Sequence, residues 1–226
     1  MGLILSSIYL FYSIKFGNIF RKNMDIFEAI KTRRSVKSFD KNYKMTKDEI
    51  HQLLELAILS PTSYNIQNWR FVTTTDQTIK NKLSELSHGQ QQVSDASLVI
   101  ILCADLNSWN KEPERYWANI SDESRNALIA SLRNSYNGKL EQQRDEAMRS
   151  CGMAAQTIML AAKSMGYDTC PMKGFDYNSV GKMINLPDDH IISMMVVVGK
   201  KLKDASPRGG QLPLADVVFE NSFKNM

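Results

Sequence analysis

The chain has 226 residues, 43% hydrophobic and 23% charged, a globular composition that excludes a collagen-like, low-complexity or charge-driven disordered protein. Its formal net charge of +4 is mild, and no dense Lys/Arg stripe interleaved with aromatics runs along it, which argues against nucleic acid as a partner. Cys103, Cys151 and Cys170 are odd in number, far apart and form no CxxC, and His51, His88 and His190 lack ligand-like spacing; this speaks against a disulfide framework or a metal site and for a reducing, cytoplasmic setting.

Residues 1–23 differ from the rest. Residues 3–14 form an apolar run, followed by Lys15, Arg21 and Lys22. The run is shorter than the roughly twenty residues a membrane span needs, and it lacks the flanks of a signal peptide. Met1-Gly2 with Ser6 formally matches a myristoylation pattern. Two readings stay open here: an extension upstream of a functional start at Met24, or a membrane-associated segment. Residues 24–226 are read as one folded domain.

Asp25 and Glu28 have the spacing of a capping box, and Ile26, Phe27 and Ile30 give a short helix its apolar face. That helix runs into Arg33-Arg34-Ser35-Val36-Lys37-Ser38-Phe39. Two Arg forks, a hydroxyl and a Lys suit a phosphate and an electron-rich ring. The same residues also suit a solvated helix end, where cations are favoured. A second capping box, Thr46 with Glu49, opens a helix carrying Ile50, Leu53, Leu54, Ala57 and Ile58, and Pro61 marks its end.

The loop Pro61-Thr62-Ser63-Tyr64-Asn65-Ile66-Gln67-Asn68-Trp69 is rich in short polar side chains. It reads either as a helix-to-strand turn or as a set of uncharged donors and acceptors for a heterocycle edge. A strand follows over residues 70–74, a helix over 76–87 and a continuous apolar strand over 98–104. Residues 105–142 are polar with scattered aromatics and a helical segment around 127–132, and they suit a lid or a subunit contact.

The longest helix is predicted over 145–164, with Met148, Cys151, Ala155, Ile158 and Ala162 on one stripe and Gly166 as its stop. Its small residues, on more than one face, suit burial against a second chain. A short strand over 167–170 enters Pro171-Met172-Lys173-Gly174-Phe175. A short helix over 180–184 precedes the best strand, 191–199, and the tail is extended with Arg208 as its cation. The order of elements gives an α+β fold, helices covering a mixed or antiparallel sheet.

The sequence contains no GxGxxG, GK[ST], GxSxG or paired catalytic carboxylates, and no nucleophile beside a base. If the chain is an enzyme, a cofactor carries the hard step.

The segments Arg33-Arg34-Ser35-Val36-Lys37-Ser38-Phe39-Asp40, Leu59-Ser60-Pro61-Thr62-Ser63-Tyr64-Asn65-Ile66-Gln67-Asn68-Trp69-Arg70-Phe71, Asp95-Ala96-Ser97, Gly166-Tyr167, Pro171-Met172-Lys173-Gly174-Phe175-Asp176 and Val196-Val197-Val198-Gly199 occur in one order over nearly the whole domain. From Met24 onward the chain resembles the nitroreductase family of FMN-dependent oxidoreductases. The resemblance implies a nitroreductase-like fold, an intertwined homodimer and FMN at the dimer interface. It further implies NAD(P)H as co-substrate and a nitroaromatic, quinone or similar small aromatic acceptor.

On the same ground Arg33, Arg34, Ser35 and Lys37 match the first flavin segment, with Arg33 and Ser35 at the phosphate and Lys37 at the pyrimidine edge. Thr62, Ser63 and Asn65 match the loop contributed by the other subunit, and Gln90 matches a polar residue at the pyrimidine. Lys173 and Gly174 match the segment whose amides meet the flavin N5/O4 edge, and Arg208 matches a phosphate-binding cation. The flavin carries the chemistry, tuned or contacted by Lys37 and Lys173. Asn68 departs from the Pro that many members carry, and Gly209-Gly210-Gln211 stands where a second basic residue is usual. A family member that stores or uses flavin without general nitroreductase turnover is the alternative.

Overall fold

The computed structural model describes residues 24–223, so the two readings of residues 1–23 fall outside it. In chain order the helices and strands are α1 (Ile26–Thr32), α2 (Lys47–Ala57), β1 (Trp69–Thr74), α3 (Gln77–Leu86), α4 (Gln91–Asp95), β2 (Leu98–Asp105), α5 (Asp122–Tyr136), α6 (Leu140–Ser164), β3 (Asp168–Met172), α7 (Tyr177–Met183) and β4 (His190–Gly199). The four strands form one sheet in the order β1-β2-β4-β3. Every pairing is antiparallel, so the sheet expected to be mixed or antiparallel is antiparallel throughout. Among the described residues no helix is long and apolar enough to cross a membrane.

β2 reads as an unbroken apolar run because both faces of the sheet are covered. Leu98, Ile100, Leu102 and Ala104 pack with Ala147, Cys151, Ala154, Ile158 and Ala162 of α6. The alternate residues Val99, Ile101 and Cys103 pack with Leu83 of α3, Val93 of α4 and Val180 of α7. β4 divides in the same way, Val196 and Val198 to one side, Met195 and Val197 to the other. Strand period two thus feeds two cores from one sequence run.

The Thr46 capping box forms in full: Glu49 N–H donates to Thr46 Oγ1 at 3.2 Å, and Thr46 N–H donates to Glu49 Oε2 at 2.8 Å. The one expected at Asp25 does not, since Asp25 makes no side-chain cap bond. α1 has seven residues and packs on α6 through buried Ala29, so tertiary packing rather than a cap holds it. Gly166 ends α6 at φ +79°, with Tyr167 N–H donating to Ala162 O at 2.8 Å. α6 begins at Leu140, five residues before the start predicted at 145, because its first turn is polar apart from an exposed Leu140. Pro171 lies inside β3, which is an edge strand and can spare a ladder donor.

Candidate functional site

The basic segment after α1 is an extended strap. Arg33 leaves the helix at φ −57°, ψ 128°. Val36 (1% exposed) and Phe39 (2%) then plug into the second core, while Ser35 and Lys37 face outward on the same side. The strap is sewn down along both margins. Ser35 bridges Thr169 in parallel, and Val36 N–H donates to Thr169 O at 3.0 Å. Asp40 N–H donates to Lys200 O and Leu202 N–H to Ser38 O, both at 2.8 Å. Glycine at 199 gives this arrangement its room, because a Cβ there would lie 3.0 Å from Phe39 Cδ1 and 3.2 Å from Ser97 N.

The strap gathers positive charge. Arg208 Nη2 donates to Lys31 O at 3.0 Å and Arg33 O at 3.2 Å, which brings the tail cation to the end of α1. Arg34 Nη2 donates to Ser206 O. Among the described residues none of Arg33, Arg34, Lys37 or Arg208 pairs with a carboxylate. Arg33 Nη1 and Thr169 Oγ1 are both buried and unpartnered. Burial pushes the Cys170 thiol up, and the charges of Lys37 and Arg33 pull it partly back, so both cations stand near that strand. A buried guanidinium nitrogen without a partner is costly, and a phosphate oxygen is the acceptor an Arg fork suits best. Arg33, Arg34, Ser35, Lys37 and Arg208 are therefore brought together, a donor set that suits a phosphate group.

β3 runs parallel to the strap and delivers Lys173 and Gly174 just past it, both exposed. Behind them Phe175 is buried and stacks on Tyr177 at 4.2 Å between ring centroids. Gln90 precedes α4, and its Nε2 donates to Gly174 O at 3.0 Å. Gln90, Lys173 and Gly174 thus form a second group next to the strap.

Thr62, Ser63 and Asn65 lie elsewhere. Their loop enters β1, the opposite edge of the sheet from β3. Tyr64, Asn65 and Gln67 all adopt left-handed φ values (51°, 51° and 42°), a strained path for Tyr in particular. Side-chain bonds impose it: Gln67 N–H donates to Thr62 Oγ1 at 3.0 Å, and Asn65 Nδ2 donates to Tyr116 O at 2.8 Å. Ser63 N–H donates to Glu146 Oε1 at 3.0 Å. Glu146, 4% exposed on α6, is the residue sequence reasoning missed. It also accepts from Ser150 Oγ (3.0 Å) and Arg149 Nη1 (2.6 Å). A carboxylate next to the small-residue stripe of α6 was its signal.

From Glu146 to the end of α6 at Ser164 is about 27 Å at 1.5 Å per residue, and the strap joins the chain five residues beyond that end. Among the described residues no hydrogen bond joins the loop to the strap.

Other polar clusters serve structure. Asp105, at the end of β2, is 3% exposed and takes Arg70 at 3.3 Å and Lys111 at 2.9 Å, which bolts the following loop to the sheet. Asp189 adjoins it and also takes Lys111, and the His190 ring lies between the two carboxylates, its Nδ1 2.7 Å from Asp189 Oδ1. Burial pushes Cys103 up to about 11 and Cys151 up to about 12, so neither supplies a thiolate near neutral pH.

The family model described as "Nitroreductase family" matches residues 30–200. Protein DrgA of Synechocystis sp. is 46% identical over 200 residues, which cover 86% of this chain and 95% of that protein. The Bacillus subtilis protein named putative NAD(P)H nitroreductase MhqN is 31% identical over 84% of this chain and 95% of its own length. Among solved structures, a putative nitroreductase from Exiguobacterium sibiricum in complex with FMN superposes with a TM-score of 0.81 at 28% identity, covering 87% of this chain and 97% of that one.

Proposed function

The chain belongs to the nitroreductase family, and from that premise we propose that it is an FMN-dependent oxidoreductase using NAD(P)H. The observation that carries this reading is the strap: four cations without carboxylate partners among the described residues, around a buried, unpartnered Arg33 nitrogen. The FMN complex of a relative and the names of others as NAD(P)H nitroreductases support it. Bound FMN would supply a hydride relay from NAD(P)H to a nitroaromatic, quinone or similar acceptor in a ping-pong cycle.

The residues divide that work. Arg33 and Ser35, with Arg34 and Arg208, hold the phosphate by charge-assisted hydrogen bonds. Lys37, two residues along the outward face of the strap, lies toward the ring edge where negative charge grows on reduction and stabilises it electrostatically. Lys173 contacts the ring, and Gly174 offers its backbone N–H to it.

The protein acts as an intertwined homodimer, in which loop 62–65 of a second copy, with Thr62, Ser63 and Asn65, completes the site. Two features support this: the separation of loop and strap in one chain, and the exposed apolar faces at Ile26 (53%), Phe27 (67%), Ile30 (50%) and Leu59 (75%). The three free cysteines suit a cytoplasmic setting.

The test is direct. Purified protein should be yellow, release FMN rather than FAD on heating, scatter light as a dimer, and oxidise NAD(P)H steadily when given a quinone. A colourless protein that takes up no FMN on reconstitution refutes the reading. Flavin without steady turnover would favour the flavin-storing alternative.

A further inference from the structure

Gln92 is 6% exposed within α4, and a buried primary amide requires partners. Its Nε2 donates to Gln90 Oε1 at 2.8 Å, and Gln90 Nε2 donates in turn to Gly174 O at 3.0 Å. The chemistry admits one direction for this relay. Gly174 presents a carbonyl, so Gln90 offers N–H there and turns its oxygen to Gln92, which must donate. Gln90 itself is held in place: its carbonyl accepts from Ser84 Oγ at 2.9 Å and from Val93 N–H at 3.1 Å, and its N–H donates to Ser87 O at 3.2 Å.

At the other end of the relay, Phe175 N–H donates to Lys173 O at 3.2 Å, closing a three-residue turn, and Asp176 N–H donates to Leu86 O at 2.9 Å. The peptide unit between 174 and 175 is thus tied at both ends, N–H to Lys173 and C=O to Gln90. In the trans unit before it, the Lys173 carbonyl turns inward to Phe175, so the Gly174 N–H points to the opposite side. Lys173 and Gly174 are exposed, which leaves that N–H on the outer surface beside the strap.

We propose that Gln92 is a positioning residue which, acting through Gln90, locks turn 173–175 so that the Gly174 N–H stays presented to the flavin. The lock rests on the hydrogen bonds above; what the N–H faces rests on the FMN reading. A fixed N–H donor favours the ring form whose facing nitrogen keeps a lone pair, the oxidised form. An interaction that differs between the two redox states changes the potential, whereas phosphate contacts, common to both, do not.

The test uses the full chain with Gln92→Met, which keeps length and removes the donor, and Gln92→Glu, which keeps shape and sets an acceptor against Gln90. In the FMN-free chain, hydrogen exchange at the Phe175 amide should speed up by tenfold or more in both variants, with protection across β2 and β4 unchanged. In the FMN-loaded protein, the ratio of reduced to oxidised FMN affinity should rise about tenfold, a midpoint shift of about +30 mV for a two-electron couple. Oxidised-FMN affinity should stay within about threefold of the parent, since the phosphate contacts remain. On a Gln90→Met background, Gln92→Met should add nothing further.

Unchanged Phe175 exchange in both variants overturns the lock, whatever the flavin does. Faster exchange with an unchanged potential overturns the positioning role. A parent protein that shows the lock yet takes up no FMN overturns the functional reading, and the positioning role with it.

Discussion

Gly199→Ala tests whether the strap is seated by its buried anchors. The added methyl would lie 3.0 Å from Phe39 Cδ1, 3.4 Å from Phe39 Cγ and 3.2 Å from Ser97 N. Carbon atoms pack comfortably at about 3.5–4.0 Å, so something must give by several tenths of an ångström. Ser97 N is backbone at the entry to the central strand β2 and is the stiffer neighbour, so the Phe39 ring moves. Overpacking of this kind costs about 1–3 kcal/mol. Urea unfolding should show a lower midpoint at unchanged slope.

Phe39 and Val36 anchor the segment between them, so displacement of the ring also shifts Lys37, and oxidised-FMN affinity should fall. Phe39→Leu makes room for the methyl. The double variant should therefore lose less stability than the two single losses added together, a coupling of at least about 0.5 kcal/mol. Strict additivity, or a Gly199→Ala protein with parental stability and FMN affinity, refutes the argument that ring packing places the strap.

Arg33→Ala should weaken FMN binding by about 1.5–3 kcal/mol in a fluorescence titration, equally for oxidised and reduced cofactor; Lys37→Met should instead lower the midpoint potential with a smaller effect on oxidised affinity. Burial alone would raise the Glu49 carboxyl, but hydrogen bonds from the Tyr167 hydroxyl and from the Thr46 N–H and hydroxyl hold it below its ordinary 4.5. Its contribution to stability is therefore complete above pH 4.5 and fades as pH falls through the lowered value, so Glu49→Gln should flatten the stability–pH curve in that window in acid-unfolding experiments. A chain beginning at Met24 should fold, bind FMN and turn over like the full chain, because α1 begins at Ile26 and the family match spans residues 30–200; loss of flavin from it would make residues 1–23 part of the fold.

Much of this architecture is legible locally. The Thr46–Glu49 capping box needs four residues to declare itself, and it forms as read. β2, and β4 from Met195 to Val198, announce themselves as apolar runs because both of their faces are buried there, and burial on both faces leaves no polar alternation to misread. The strap, too, carries its own signal, since Arg33, Arg34, Ser35 and Lys37 are neighbours in sequence and the buried Val36 and Phe39 between and after them set the alternation.

What the sequence could not decide depends on the path of the whole chain. Arg208 reaches the Arg33 carbonyl across 175 residues, and Gln90 reaches Gly174 across 84. Glu146 becomes the anchor of loop 62–65 only because α6 passes beneath that loop, 83 residues away. The sheet order, which puts strap and loop at opposite edges, follows from how four strands pair. Periodicity records which face of one element is buried. It carries no record of which other element buries it, because any apolar surface of the right shape would satisfy the same pattern.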